Sequence, residues 1–135
     1  MLDHVSIGVR DLQAAKRFYD AALKPLGYTC LHEFDGSLGY GAKTAGFWVS
    51  AVESPVPSDP KSGLHVCFTA PSRDSVGAFH AAALQAGGRD NGAPGPRPHY
   101  HEHYYGAFVL DPDGHNIEVV CHEPVPAPPG RTAAG

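Results

Sequence analysis

Three side chains in this sequence could together hold a divalent metal ion: His4, His65 and Glu118. Each falls in a stretch where apolar and polar residues alternate. In 2-LDHVSIGV-9, Val5, Ile7 and Val9 form one face and His4, Ser6 and Gly8 the other. In 63-GLHVCFTA-70, Leu64, Val66 and Phe68 oppose His65, Cys67 and Thr69; in 116-NIEVVC-121, Ile117, Val119 and Cys121 oppose Glu118. Alternation with period two reads as half-buried β-strand. The three polar side chains therefore share the non-core face of their sheets. If that face curves around a cleft, two neutral imidazoles and a carboxylate on rigid strands make a site with open coordination positions. Such a set suits Fe(II), Mn(II), Ni(II) or Zn(II).

The elements that must position these groups repeat. An ungapped offset of 61 residues aligns His4 with His65, Val5 with Val66, Phe18 with Phe79, Ala21-Ala22-Leu23 with Ala82-Ala83-Leu84, and Gly27 with Gly88. That makes seven identities over 24 positions, the mark of a duplicated module. Each unit opens strand then helix. The first helix runs through 11-DLQAAKRFYDAAL-23, with Asp11 as N-cap and Pro25 and Gly27 as its stop; the second runs through 73-RDSVGAFHAAALQ-85, capped by Ser72 and ended at Gly87-Gly88. Short strands follow each helix: 28–34, 37–42 and 45–52 in the first unit, and around Arg89, 104–111 and 115–122 in the second. The expectation is an α+β domain over 1–122, with module one at 1–53, a linker at 54–63 and module two at 64–122; the Pro- and Ala-rich tail 123–135 is expected to be extended or disordered.

Size and composition limit the classes of function. The chain has 135 residues, the size of one domain, with 42% hydrophobic and 18% charged residues. A net charge of −4 without a Lys/Arg patch argues against nucleic acid. Three unpaired-looking cysteines, no leader-like N-terminus and no long apolar run lead to the expectation of a soluble cytoplasmic protein that binds no membrane.

The duplicated βαβββ pattern, the strand–helix motif 4-HVSIGVRDLQAAKRFYDAAL-23 and the turn–strand motif 111-DPDGHNIEVV-120 resemble the vicinal oxygen chelate superfamily, the glyoxalase, bleomycin-resistance and extradiol-dioxygenase group. The resemblance implies two tandem modules forming a U-shaped eight-stranded mixed sheet with helices on its outer face, usually completed as a homodimer around a small-molecule substrate. The family's metal ligands match His4, His65 and Glu118. Glyoxalase I adds a fourth ligand on the last strand of module one, but 46-GFWVSAV-52 offers no carboxylate or imidazole. Gly8 stands where bacterial glyoxalases carry a glutathione-binding Arg, and Phe108 where extradiol enzymes carry a Tyr.

The reading is thus a metal-dependent lyase or isomerase of glyoxalase type, with a ring-cleaving dioxygenase and a metal-free drug- or metabolite-binding protein as alternatives. If Phe108 faces the cleft, Gly106 and Tyr104 do too. Tyr104 and His101 are then the candidate acid–base residues, and Trp48, Tyr104 and Phe108 the candidate substrate contacts. In 97-RPHYHEHYYG-106, His99, His101 and His103 alternate; they read either as a loop at the cleft mouth or as a second metal site.

Overall fold

The structure is a computed structural model, and it describes residues 1–125. The distal part of the tail expected to be extended, residues 126–135, lies outside the described residues. The elements of module one run β1 (Val5–Val9), α1 (Leu12–Leu23), β2 (Thr29–Phe34), β3 (Ser37–Gly41) and β4 (Ala45–Ala51). Module two repeats the order as β5 (Val66–Thr69), α2 (Arg73–Gln85), β6 (Arg89–Pro96), β7 (Tyr105–Leu110) and β8 (Asn116–Cys121). The fold is α+β, with two tandem βαβββ modules.

Hydrogen bonding sorts the eight strands into two mixed sheets of four, in the orders β1-β4-β3-β2 and β5-β8-β7-β6. They do not join in one continuous hydrogen-bonded sheet of eight. In each sheet the first strand pairs in parallel with the last, Val5 opposite Phe47 and Val66 opposite Ile117. This is the geometry a crossover helix imposes on its flanking strands.

Both helices begin as the sequence dictates. Asp11 accepts hydrogen bonds from the backbone N–H groups of Gln13 and Ala14, and Ser72 and Ser75 form a reciprocal capping box. Between helices and sheets sits the core. Phe18, Tyr19, Leu23, Val76 and Phe79 meet Leu38, Tyr40, Val49, Val109, Ile117 and Val119, all 0–1% exposed. Each such side chain contributes about 1.5–3 kcal/mol by leaving water. The modules share this core directly, since the rings of Phe47 and Phe68 meet edge to face at 5.0 Å.

A polar clasp adds to that contact. Tyr19 on α1 donates to buried Asp111 at 2.6 Å, Asp113 accepts from the Arg10 backbone at 2.9 Å, and His115 donates to the Gly8 carbonyl at 2.9 Å. The turn Asp111–Gly114 thus ties the start of β8 to the end of β1. Gly114 has φ +91°, and a Cβ there would come within 2.6 Å of Ser58 Oγ, so the turn requires glycine.

Two boundaries differ from the sequence expectation. β1 and β5 start at Val5 and Val66, so His4 and His65 each lie one residue ahead of the strand. Backbone pairing with β4 and β8 begins only at Val5 and Val66, which leaves the preceding residues outside the ladder. Leu64, expected on the core face, is accordingly 69% exposed. β6 extends through Pro94 to Pro96; it is an edge strand, where a missing N–H is tolerated.

Candidate metal and substrate site

The inner face of module two is built around Glu118, a carboxylate only 3% exposed. β8 carries it between Ile117 and Val119, both pointing to the core, so strand alternation forces its side chain to the opposite face. Across the neighbouring strands its register partners are Cys67 on β5 and Phe108 on β7. Glu118 Oε1 lies 3.1 Å from His65 Nε2, and Tyr104 donates its O–H to Oε2. Burial first, then that hydrogen bond, hold the Tyr104 phenol well above its usual value, so it stays protonated at neutral pH. Cys67 is exposed as a residue, but its sulfur is partly shielded from water. That shielding, with Glu118 as the next cause, pushes the thiol up to about 12.

The tautomer of His65 follows from its partners. Nδ1 lies 3.2 Å from the Gly63 carbonyl, which can only accept, so Nδ1 carries the hydrogen. Nε2 then points a lone pair at a carboxylate oxygen unless a positive charge, a proton or a metal ion, lies between them. A carbonyl holding the far nitrogen of an imidazole is the usual outer support of a metal-ligating histidine. Two ligands at about 2.1 Å from an ion and at right angles to one another stand about 3 Å apart, close to the 3.1 Å seen here. His65 and Glu118 therefore fit a divalent ion by donor type and by spacing.

His4 is arranged the same way on module one. Its Nδ1 meets Asp3 Oδ1 at 2.6 Å, leaving Nε2 free to ligate. It is not gathered with the other two: among the described residues no three His, Cys, Asp or Glu side chains are grouped so as to hold an ion. His4 and Asp3 line both of two cavities. One, of about 320 Å³, runs between the modules past Phe47, Cys67 and Phe68; the other, of about 560 Å³, lies on the inner face of module one over Ser6 and Trp48. Glu118 lines neither, but its strand neighbour Cys67 forms part of the wall of the first.

The remaining candidates divide. Phe108 is beside the site, its ring 6.0 Å from that of His65. Trp48 lies on the inner face, between the buried core residues Phe47 and Val49. His101 does not reach Glu118. Its ring stands edge-on to Tyr104 at 5.3 Å, and Nε2 lies 2.5 Å from His122 Nδ1. The segment 97–104 forms turns rather than a strand, so its three histidines do not share one face. His99 packs on Tyr100, and His103 lies 3.7 Å from Glu102. The second metal site is disfavoured, because His101 Nδ1 accepts the His103 backbone N–H at 3.2 Å. An imidazole that ligates through Nε2 must carry its hydrogen on Nδ1.

Sequence reasoning missed Asp3, His122 and Arg97. The Arg97 guanidinium donates to the carbonyls of Gly95, Gly106 and Ala93 and lies 5.6 Å over the Phe108 ring, fixing that wall. A charged residue following the Pro-Gly-Pro run 94–96 was the only signal for it.

A profile of the Glyoxalase/Bleomycin resistance protein/Dioxygenase superfamily matches residues 1–119. The chain belongs to this superfamily. A glyoxalase/bleomycin resistance protein from Albidiferax ferrireducens is 31% identical over 92% of this chain and 99% of its own, with a TM-score of 0.79. A glyoxalase-related enzyme from Fulvimarina pelagi (18% identity, 90% and 87% covered, TM-score 0.71) shares the fold. So does a fosfomycin resistance protein from Mesorhizobium loti (16% identity, 90% and 91% covered, TM-score 0.66). No functionally curated protein matches the sequence. As a member of the vicinal oxygen chelate superfamily the chain has a duplicated architecture with known relatives, and its chemistry must be argued from its own side chains.

Proposed function

We propose that this superfamily member is a metal-dependent enzyme of glyoxalase type, a lyase or isomerase acting on a small substrate through adjacent oxygens. The observation that carries the reading is His65 Nε2 facing the buried Glu118 carboxylate at 3.1 Å with the imidazole hydrogen committed to the Gly63 carbonyl. His65 and Glu118 would hold the ion, with His4 as third donor, and the bound ion would supply Lewis acidity to the substrate's oxygens.

The chain's own groups then have separate tasks. Tyr104 keeps its proton at neutral pH and donates a hydrogen bond to Glu118 Oε2, which fixes the carboxylate and leaves a proton donor beside it. Cys67 stays a neutral thiol and does not compete as a nucleophile. Phe108, braced by Arg97, closes one wall against water. His101 acts through Tyr104, whose ring it packs against.

Ring-cleaving dioxygenation is a second reading, favoured by one observation. The module-one position whose register matches Glu118 is Trp48, so no fourth carboxylate faces the site from β4. Assays of the metal-supplemented enzyme separate the two readings. Isomerisation of α-oxoaldehyde adducts without oxygen uptake supports the first, and oxygen consumption with catechol supports the second. With the glutathione hemithioacetal of methylglyoxal, weak or no turnover is expected, because Gly8 provides no charged anchor. Inactivity in every assay despite full metal loading would overturn both readings.

A further inference from the structure

Two asparagines occur in the chain, and they meet: the Asn91 amide donates to Asn116 Oδ1 at 3.2 Å. Asn91 is exposed on the edge strand β6, and Gly92 follows it. The strand is irregular there. Its register on β7 passes from Asp90 opposite Val109 to Gly92 opposite Phe108, so Asn91 is the extra residue of a β-bulge. The bulge requires glycine at the next position. Gly92 has φ +154°, and a Cβ there would stand 3.2 Å from the Phe108 ring and 3.3 Å from Arg97 Nη2. The fold thus gives Asn91 a successor without a side chain, whose backbone nitrogen is open to approach.

That nitrogen already has a base on it. The Gly92 N–H donates to Asp90 Oδ1 at 3.0 Å, and His80 on α2 meets the same oxygen through Nε2 at 2.9 Å. These two bonds, the one from His80 first, hold the Asp90 carboxyl below its ordinary value, so it is ionised at neutral pH. His80 also orients it, as a third group orients the base of an activated nucleophile. A backbone amide, its base and the partner that orients the base therefore stand together beside the carboxamide of the preceding residue. Asn116 restrains that carboxamide from the other side.

We propose that Asn91–Gly92 is a self-modifying site, at which Asn91 loses ammonia and becomes aspartate or isoaspartate. The Gly92 nitrogen attacks Asn91 Cγ and closes a five-membered ring, while its proton passes to Asp90. The Cγ–Nδ2 bond then breaks, and Nδ2 leaves as ammonia with that proton. Water opens the resulting succinimide. Cleavage between the Gly92 nitrogen and Cγ gives ordinary aspartate. Cleavage between that nitrogen and the residue-91 carbonyl carbon gives isoaspartate, whose main chain runs through Cβ and Cγ. The sum is a water gained and an ammonia lost, with no metal ion and no oxidant. Isoaspartate lengthens β6 by one main-chain carbon beside Gly92, where Phe108 and Arg97 crowd the backbone, and either product removes the donor that Asn116 accepts.

The test holds the full-length protein at neutral pH and follows residue 91 by peptide mass spectrometry, with fragmentation that separates isoaspartate from aspartate. Asn116 is the internal control, because Ile117 follows it and shields its own backbone nitrogen. A synthetic peptide spanning 87–96 gives the rate that the sequence alone supports. Asn91 is expected to convert while Asn116 stays intact, and to convert faster in the folded protein than in the peptide. Asp90→Ala should slow the folded protein by roughly tenfold to 100-fold, up to the lower end of what a positioned general base contributes. His80→Phe leaves the carboxylate without its orienting partner and should slow conversion less. A folded protein no faster than the peptide, an Asp90→Ala protein converting at the unaltered rate or above it, or an Asn91 that keeps its amide would each overturn the proposal.

Discussion

Glu118 is the residue on which the proposed chemistry turns, and its neighbours make that testable one side chain at a time. Tyr104 supports the carboxylate from behind; outer partners of metal ligands typically account for 10–100-fold in affinity. Tyr104→Phe is therefore expected to weaken divalent-ion binding by about that factor in calorimetry, while the circular dichroism spectrum stays unchanged. Cys67 reports on the same carboxylate through its thiol, which partial desolvation and then Glu118 raise to about 12. At pH 8 it should be alkylated by iodoacetamide far more slowly than a free thiol. Glu118→Gln removes the negative charge and should speed that reaction, as read by peptide mass spectrometry. Equal rates in the two proteins would show that the carboxylate does not influence the thiol.

At the scale of elements, the turn at Asp111–Gly114 does more than lead into β8. Asp111 is 2% exposed and accepts the Tyr19 hydroxyl, so Tyr19→Phe leaves a buried carboxyl short of a donor. A loss of about 1–3 kcal/mol in denaturant unfolding is expected. Burial, the largest cause, raises the Asp111 carboxyl above its ordinary value in the folded state. Its contribution to stability is therefore full below the ordinary Asp range and is lost as pH rises through the raised value. Asp111→Asn should flatten that fall. A parallel pH dependence in the variant would assign the fall to another group. Helix α2 offers a local comparison: Ser72→Ala breaks the capping box and should lower stability by about 1 kcal/mol.

Much at this scale was legible in the sequence because the periodicities are strong. Asp11 and Ser72 mark the helix starts, and alternation places Glu118 opposite Ile117 and Val119. The starts of β1 and β5 were not legible. Alternation continues through His4 and Leu64, whereas strand structure needs a backbone partner, and those residues have none. The His101–His122 contact was also hidden, because it joins a turn to the end of β8 across 21 residues that carry no pattern.

For the whole molecule, the duplication was visible only in part. His4 and His65 are separated by 61 residues, but Trp48 and Glu118 by 70, since 118 − 48 = 70. The nine extra residues fall in module two between its first and last strands. An ungapped comparison therefore aligns the first strands and helices and cannot align β4 with β8. Only the hydrogen-bonded register reveals that an indole and a carboxylate hold equivalent places. The two sheets also bear on assembly. β1 and β5 are both edge strands, and His4 stands just ahead of one and His65 just ahead of the other. We propose that the homodimer implied by the resemblance is what brings His4 to the other two donors.

The central claim is that His65, Glu118 and His4 hold one divalent ion. It is tested most directly by metal analysis of tag-free protein beside its His65→Ala, Glu118→Ala and His4→Ala variants, each loaded with the same ion and desalted. About one ion per chain is predicted for the unaltered protein, with loading lost in Glu118→Ala and His65→Ala and reduced in His4→Ala. Equal loading in all four proteins would contradict the account.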